Sequence, residues 1–243
     1  MYATTSTVVV ADDGTCLVVD PALTADEVGA LAADVAAAGW APAAVWSTHP
    51  HWDHLLDGPA LHRLPRWAAD HPRSSWWRRQ AVDERDADPV LSARPAAAAA
   101  VAAVTHVAPR RYPGAPGALA WPGRRVEVVG HDAHAAGSSA LLVVDADVLV
   151  AGDLLSDVEI PLLDLGSPDP VGAYLGALDL LEATAARVVV PGHGVVGDDL
   201  AARVARDRAY LAALVDGRTP DDERLRDAGN AEAHARQRAT IGA

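Results

Sequence analysis

The chain has 243 residues, half of them hydrophobic, so we expect one globular domain over residues 1–243. Its formal net charge of −13 would repel a polyanion, so we do not expect it to bind nucleic acids. Because no apolar segment is long enough to span a bilayer and residues 1–10 do not resemble a signal peptide, a cytoplasmic protein without membrane contact is expected. The single cysteine, Cys16, excludes an intrachain disulfide, and the absence of lysine excludes Schiff-base chemistry.

The first part of the chain predicts a hairpin, a helix and a third strand. The apolar runs Thr7–Ala11 and Cys16–Val19 flank an Asp-Gly pair, which is typical of tight hairpin turns. A helix is predicted over Thr24–Ala38, because threonine can cap its amino end and glycine follows its last residue. The strand predicted at Ala44–Thr48 leads directly into a histidine.

The segment 62–95 is rich in proline, arginine, aspartate and tryptophan and has little periodicity. It predicts a long, partly helical excursion that could cover a site. In the following segment, Ala96–Val104, the alanine run favours a helix, while a strand or a mixture of both is also open.

The second half of the chain again predicts strands followed by helices. The predicted strands are Arg125–Gly130, Ala140–Asp145, Val148–Ala151 and Arg187–Val190. Asp169 can cap a helix over Pro170–Ala185, and helical segments at Asp198–Val215 and Thr219–Arg238 form a C-terminal part, 198–243. Because strands and helices occur on both sides of the excursion, we expect an α/β protein whose two sheets face each other with helices outside.

A cluster of ionisable residues follows the third predicted strand, within Thr48–His54. Its members are His49, His51, Asp53 and His54. Imidazoles and carboxylates are ligands that suit zinc, iron and manganese. In an extended backbone His49 and His51 point the same way, whereas Asp53 and His54 lie beyond a turn and can face a second point. The cluster therefore supplies part of each of two metal sites.

Three later positions supply candidates for the remaining ligands. His134 precedes a predicted strand, Asp153 follows one within Gly-Asp, and His193 follows one within Pro-Gly-His-Gly. Each lies where a strand meets a loop, the place at which α/β folds position their chemistry. His131 is disfavoured as a ligand, because the Gly-Ser pair that follows at fixed spacing favours His134.

The ordered patterns His-x-His-x-Asp-His, His-x-x-Gly-Ser, Gly-Asp and Gly-His resemble those of the metallo-β-lactamase-fold hydrolases, over nearly the whole chain up to Gly194. The resemblance implies an α+β fold, a four-layer αββα sandwich of two facing mixed sheets, with the metals at one edge. It implies a seven-ligand dinuclear centre of the glyoxalase II or lactonase type. The first metal would be held by His49, His51 and His134, the second by Asp53, His54 and His193, and both by Asp153. It also implies that Asp20 orients ligands near the centre.

The chemistry implied by the resemblance is hydrolysis at two zinc ions, with iron or manganese as alternatives. A water that bridges two such cations becomes hydroxide near neutral pH, because its pKa falls to roughly 7. The hydroxide attacks an electrophilic carbonyl or phosphoryl centre of a small-molecule substrate. Asp153, through the metals, and Asp53, as a proton carrier to the leaving group, are the expected catalytic residues.

Differences between this sequence and known subgroups of these hydrolases reduce the number of reactions to be considered. Asp153 and His54 argue against a dedicated β-lactamase, and the missing basic arm argues against an RNA-processing nuclease or other phosphodiesterase. The acidic C-terminal part argues against a glutathione thioester, and Ser156 stands near the place of a tyrosine in quorum-quenching lactonases. The expected function is hydrolysis of an ester, lactone, thioester or related acyl compound.

Several alternatives stay open. A persulfide dioxygenase shares the fold and uses one iron, a non-catalytic binding protein is a third possibility, and a homodimer is compatible with the sequence. Ser156, Asp157 and Glu159 either contact substrate or lie in a solvated loop. The histidines without a partner pattern are predicted at the surface, namely His62, His71, His106 and His234.

Overall fold

A computed structural model describes residues 4–71, 76–106, 109–112, 117–119, 121 and 123–242. Its strands are β1 (Thr7–Val10), β2 (Thr15–Val19), β3 (Ala41–Trp46), β4 (Leu56–Asp57), β5 (Arg66–Ala68), β6 (Ala103–Val104), β7 (Arg110–Arg111), β8 (Val126–His131), β9 (Ser138–Val143), β10 (Val148–Gly152) and β11 (Val188–Pro191). Its α-helices are α1 (Ala25–Ala37), α2 (Trp77–Ala87), α3 (Pro89–Ser92), α4 (Pro95–Ala100), α5 (Pro170–Glu182), α6 (Leu200–Val215) and α7 (Ala228–Ile241).

Two larger mixed sheets organise these elements. The first has the order β1-β2-β3-β5-β7, in which only the β1–β2 pair is antiparallel. The second has the order β11-β10-β9-β8, in which only the β10–β11 pair is parallel. Strands β4 and β6 form a separate two-stranded antiparallel pair beside the first sheet's helices.

Alternating side chains along the strands divide the core into three layers. The central layer joins the two sheets and includes Leu17, Val19, Ala44 and Trp46 from the first and Leu141, Val143, Val150 and Val190 from the second. On the outer face of the first sheet, Val18 and Val45 pack with residues of α1, α2 and α3. On the outer face of the second, Leu149 and Val189 pack with α5 and α6. Because strand side chains alternate between faces, each sheet buries both sides, which confirms the predicted αββα sandwich.

Local signals correctly located several elements. The predicted hairpin is the β1–β2 pair, and Thr24 caps α1 in a capping box with Glu27, whose carboxylate accepts the Thr24 backbone N–H at 2.9 Å. Asp169 caps α5 by accepting the N–H of Gly172 at 2.9 Å. Such caps satisfy backbone donors that the first helical turn leaves free, so they mark helix starts in sequence.

Other elements differ from the prediction. The excursion 62–95 is partly helical, as expected, but it also contains β5, and the sequence predicts neither β5 nor β7. These strands have three and two residues, which is too short for a periodic pattern. The segment 96–104 is a mixture of α4 and β6, and α7 begins at Ala228 rather than Thr219, because Asp227 caps it there. Within the described ranges no helix combines the length and apolar character needed to cross a bilayer.

Candidate metal centre

The seven predicted ligands come together at one edge of the sandwich. His49 and His51 follow β3, and Asp53 and His54 lie in a short 3-10 turn, Trp52–His54. The others come from the second sheet, where His134 precedes β9, Asp153 follows β10 and His193 follows β11. The parallel pairing of β10 with β11 brings two of these strand ends side by side. The sheet topology therefore collects residues that are far apart in sequence.

One group of ligand atoms is formed by His49, His51, His134 and Asp153, all within 4.8 Å of one another. The Nε2 of His134 lies 2.8 Å from the Nδ1 of His51. The Oδ2 of Asp153 lies 3.3 Å from the Nε2 of His49 and 3.4 Å from the Nε2 of His134. Three imidazoles and one carboxylate thus face a common point.

A second group is formed by Asp53, His54 and His193. The Nε2 of His193 lies 3.3 Å from the Oδ2 of Asp53 and 3.5 Å from the Nε2 of His54. Asp153 also faces this group, with its Oδ1 3.1 Å from the Nε2 of His54 and its Oδ2 3.3 Å from the Nε2 of His193. Asp153 is therefore the carboxylate that contacts both groups.

These distances fit bound cations better than direct hydrogen bonds. Ligands about 2.0–2.1 Å from a tetrahedral zinc ion are about 3.3 Å apart, and most contacts in both groups are close to that value. The buried Nε2 of His49 and Oδ1 of Asp153 make no hydrogen bond within the part of the chain that the structure describes. Buried polar atoms without partners are costly, and a cation bound at each group would satisfy one of them. The donor set thus fits two divalent transition-metal ions.

The close packing of Asp153 and His54 around position 192 requires a glycine there. A Cβ added there would collide with the Oδ1 of Asp153 and lie 3.0 Å from the Cε1 of His54. The Gly-His pattern at the end of β11 therefore has a steric cause, because any larger residue would displace Asp153 or His54 from the centre.

The protein alone already favours positive charge at the centre. Burial opposes protonation, but Asp153 and Asp53 raise the pKa of His193 to about 12, and Asp153 also raises the pKa of His54 well above its ordinary value. Burial and the neighbouring imidazoles lower the pKa of His49 to about 4 and lower that of His51 well below its usual range. A site in which carboxylates attract protons onto some histidines while others stay neutral is suited to cations, which would displace those protons.

Hydrogen bonds behind the centre orient the imidazoles. Asp20 accepts the backbone N–H of Thr48 at 2.9 Å and its hydroxyl at 2.6 Å, and its Oδ2 lies 2.9 Å from the Nδ1 of His54. The Nδ1 of His49 lies 3.0 Å from the Thr48 hydroxyl, and the Nδ1 of His134 lies 2.9 Å from a backbone carbonyl oxygen, that of Leu162. Because each Nδ1 has an acceptor, the Nε2 lone pairs of these histidines face the centre.

A cavity of about 390 Å³ opens at the centre. It is lined by His51, Trp52, Asp53, Glu84, Ala87, Asp88, Pro89, His134, Asp153, Glu159, Leu162 and His193. The excursion supplies one wall, through α2 and α3, so the segment does border the centre. Three further carboxylates, Glu84, Asp88 and Glu159, line the cavity, and no arginine is among its described lining residues.

The sequence left open whether Ser156, Asp157 and Glu159 contact substrate, and the structure gives these three residues different surroundings. Glu159 lines the cavity, and burial raises its pKa. Ser156 instead donates to the carbonyl of His193 at 2.7 Å, and Asp157 accepts the N–H of Val195 at 2.7 Å. These two side chains therefore hold the segment that carries His193.

The remaining histidines only partly follow the prediction. His131 belongs to neither group of ligand atoms, and the side chains of His62 and His106 are about half exposed, as expected. His71 is partly buried. The surface prediction is wrong for His234, which is buried with its Nδ1 2.9 Å from the hydroxyl of Tyr210, because α7 packs on α6.

Sequence reasoning missed Glu84 and Asp88 as residues of the cavity. Both belong to the excursion, where α2 and α3 gave no periodic signal, and no motif connects them to the metal-binding patterns. Only the tertiary packing of α2 on the 3-10 turn brings Glu84 to the centre.

In a comparison with known protein families, residues 2–193 match the model described as Metallo-beta-lactamase superfamily. The matched region contains all seven candidate ligands and ends at His193, so α6 and α7 lie outside it. A comparison with curated protein sequences finds no match.

Solved structures with the same fold include the metallo-beta-lactamase family protein TTHA1429 from Thermus thermophilus, with a TM-score of 0.66 and 24% identity over 96% of this chain and 85% of that one. TTHA1623 in a di-iron-bound form has a TM-score of 0.61 and 25% identity over 84% of this chain and 98% of that one. The B3 metallo-beta-lactamase BLEG-1 has a TM-score of 0.54 and 23% identity over 80% of this chain and 88% of that one. Since the family model matches most of its length, the chain belongs to the metallo-beta-lactamase superfamily.

Proposed function

We propose that the protein is a dinuclear metal-dependent hydrolase of small acyl compounds. In this proposal His49, His51 and His134 would hold one ion, Asp53, His54 and His193 would hold the other, and Asp153 would be a ligand of both. The observation that carries it is the position of Asp153, whose two carboxylate oxygens face histidines of both groups at 3.1–3.4 Å.

The chemistry follows from this arrangement. Divalent cations held by these residues would supply an acidified water near neutral pH and a Lewis acid for the scissile carbonyl. Asp53 borders the cavity, so its carboxylate can pass a proton to the leaving group. Trp52 and Leu162 border it too, and their apolar surfaces strengthen the electrostatic interactions at the centre by excluding bulk water.

Zinc is the proposed metal, because imidazole-rich tetrahedral sites suit it. Iron and manganese accept the same ligands, and the similar protein TTHA1623 is known in a di-iron-bound form.

The cavity favours substrates without a negative charge. Its ligand carboxylates, Asp53 and Asp153, offset part of the charge of two cations, and Glu84, Asp88 and Glu159 add three more carboxylates to its wall. Since no described lining residue is an arginine, a substrate carboxylate or phosphate would find no cation in the cavity other than the metal ions themselves. We therefore propose uncharged or amine-bearing esters, lactones or thioesters, in preference to β-lactam carboxylates, glutathione thioesters and phosphodiesters.

Metal removal tests the proposed class of reaction. The purified protein is expected to contain about two zinc ions per chain and to hydrolyse at least one compound in a panel of esters, lactones, thioesters, β-lactams and phosphodiesters. Stripping with a chelator should abolish that activity, and zinc, iron or manganese added back separately should identify the effective metal. One iron per chain, with oxygen uptake on thiol substrates and no hydrolysis, would instead support a persulfide dioxygenase.

Substrate charge tests the proposed specificity. In a matched ester series with neutral, amine and carboxylate substituents, the carboxylate member should have the lowest kcat/KM. A charge about 10 Å away at an effective dielectric constant of about 20 contributes about 1.7 kcal/mol, which is more than tenfold in rate. Glu84→Gln combined with Glu159→Gln should therefore raise kcat/KM for the carboxylate ester relative to the neutral ester by about tenfold or more.

The exposed Glu232 on α7 offers a control, since Glu232→Gln removes one carboxylate charge at a residue that does not line the cavity and can be compared with each single cavity variant. The proposed specificity is wrong if the wild-type protein prefers the carboxylate ester, or if the control shifts the ratio as much as the cavity variant.

A further inference from the structure

Asp57, His62 and His106 form a cluster that the dinuclear centre does not use. Asp57 ends β4, and His106 follows β6, which pairs with β4 through Asp57↔Ala103. His62 comes from the turn after β4. Their ligand atoms lie within 4.8 Å of one another. The small β4–β6 ribbon thus brings two histidines to the same carboxylate.

Both imidazoles present the same nitrogen to the same oxygen. The Nδ1 atoms of His62 and His106 lie 3.4 and 3.6 Å from the Oδ2 of Asp57. The two rings stack with centroids 3.6 Å apart and planes inclined by 22°. Direct hydrogen bonds to nitrogen are commonly about 2.9 Å, whereas ligands of a tetrahedral zinc ion are about 3.3 Å apart. The separations therefore match those of the dinuclear centre rather than those of a hydrogen-bonded pair.

The carboxylate is fixed in place by the fold. Asp57 is buried, its Oδ1 accepts the N–H of Gly58 at 2.9 Å, and the hydroxyl of Thr105 donates to its Oδ2 at 3.3 Å. The guanidinium of Arg66 is 4.0 Å from Oδ1, whereas the histidines contact the other carboxylate oxygen, Oδ2. Its donors are directed at the hydroxyl oxygen of Ser47 and the carbonyl of Leu56, at 2.9 and 2.7 Å. Oδ2 is therefore the oxygen presented to the imidazoles.

The two histidines lie at the surface, with side-chain exposures of 53% for His62 and 48% for His106. An ion at their Nδ1 atoms would be reachable from solvent and could take its fourth ligand from water. We propose that Asp57, His62 and His106 bind one divalent transition-metal ion of the zinc class, in addition to the dinuclear centre. With three protein ligands and an open position, this surface site binds more weakly than the buried centre.

Zinc titration of the metal-loaded protein tests the proposal. Calorimetry with zinc, followed by elemental analysis after desalting in a low concentration of free zinc, should reveal one additional ion per chain. Cobalt(II) added in place of zinc should give the intense visible absorption of a tetrahedral site with nitrogen and oxygen ligands. Both signals should be lost in the double variant His62→Gln with His106→Gln.

Two further variants separate the site from other effects. His71→Gln, which removes a histidine outside the cluster, should keep the additional ion. Asp57→Asn should lose it, and because both histidines are half exposed, their double variant remains informative if Asp57→Asn fails to fold. An unchanged third ion in the double variant, or no third ion in the wild-type protein, would overturn the proposal. Since the test counts the difference between variants, it is independent of whether the dinuclear centre is hydrolytic.

Discussion

Asp153→Ala is expected to lower kcat/KM for the preferred acyl substrate by about 10³-fold or more, which is about 4 kcal/mol of transition-state stabilisation. Metal content should fall from about two ions per chain to one or fewer. The physical reason is the position of the carboxylate between the two groups, since it faces His49 and His134 on one side and His54 and His193 on the other. Elemental analysis and steady-state kinetics on the same sample measure both effects.

The control for this variant is Asp145→Asn. Asp145 is an exposed partner of Arg124, at 2.6 Å, and removing its charge should change neither metal content nor kcat/KM measurably. If Asp153→Ala retained two tightly bound ions and near-normal activity, the bridging role of Asp153 would be refuted. Loss of metal together with retained hydrolysis would refute the metal-dependent reaction itself.

The candidate ligands could be predicted from sequence because their chemistry leaves a local signal. Ionisable residues next to glycine at the ends of apolar strands are poor core material, and each of the seven residues occupies a strand end or the loop that follows one. The strands themselves are visible as apolar runs, so the two-sheet sandwich followed from their order. The glycine at position 192 is a further local signal, because the absence of a side chain there leaves room for Asp153 beside His54.

The wall of the cavity and the surface cluster could not be predicted in the same way. Glu84 reaches the cavity only because α2 packs on the 3-10 turn, and His106 reaches Asp57 only through the pairing of two strands of two residues each. Contacts of this kind depend on tertiary packing of short or weakly periodic elements, for which neighbouring residues carry no pattern. The wrong surface prediction for His234 has the same cause.

Substitution of Arg224 is also expected to have a large effect, in this case on stability. Arg224 lies outside the family-matched region and supports the loop next to the candidate metal centre. Its guanidinium is almost completely buried and donates to the carbonyl oxygens of Ser156 and Glu159, at 2.9 and 2.8 Å. It also pairs with Asp207 at 2.8 Å and with Asp222 at 2.7 Å. The C-terminal part thereby fixes the loop whose Ser156 hydroxyl bonds the backbone of His193 at 2.7 Å.

Arg224→Met is therefore expected to reduce the free energy of unfolding by about 3–5 kcal/mol, because it leaves Asp207 buried without its hydrogen-bonded cation and the carbonyl of Glu159 without this donor. The carbonyl of Ser156 keeps the guanidinium of Arg206, at 2.9 Å. Chemical denaturation of metal-free and metal-loaded protein measures the loss. Zinc affinity should fall as well, since the loop that positions His193 is released. Arg226→Met supplies the matched control, because Arg226 is exposed and pairs only loosely with Glu223, at 3.8 Å.

The loss of unfolding free energy in Arg224→Met has two possible causes, a buried Asp207 carboxylate without a counter-ion or the loss of packing, and its pH dependence distinguishes them. Burial raises the pKa of Asp207, and Arg224 acts against that rise, so removing the arginine raises the pKa further. A carboxyl group whose pKa is higher in the folded than in the unfolded state binds its proton more strongly when folded, and stability then falls as pH rises. The destabilisation by Arg224→Met should thus be larger at pH 8 than at pH 5, and adding Asp207→Leu should recover part of it and reduce the pH dependence. An equal loss at both pH values, unaffected by Asp207→Leu, would mean that Arg224 stabilises the protein through packing and its carbonyl contacts alone.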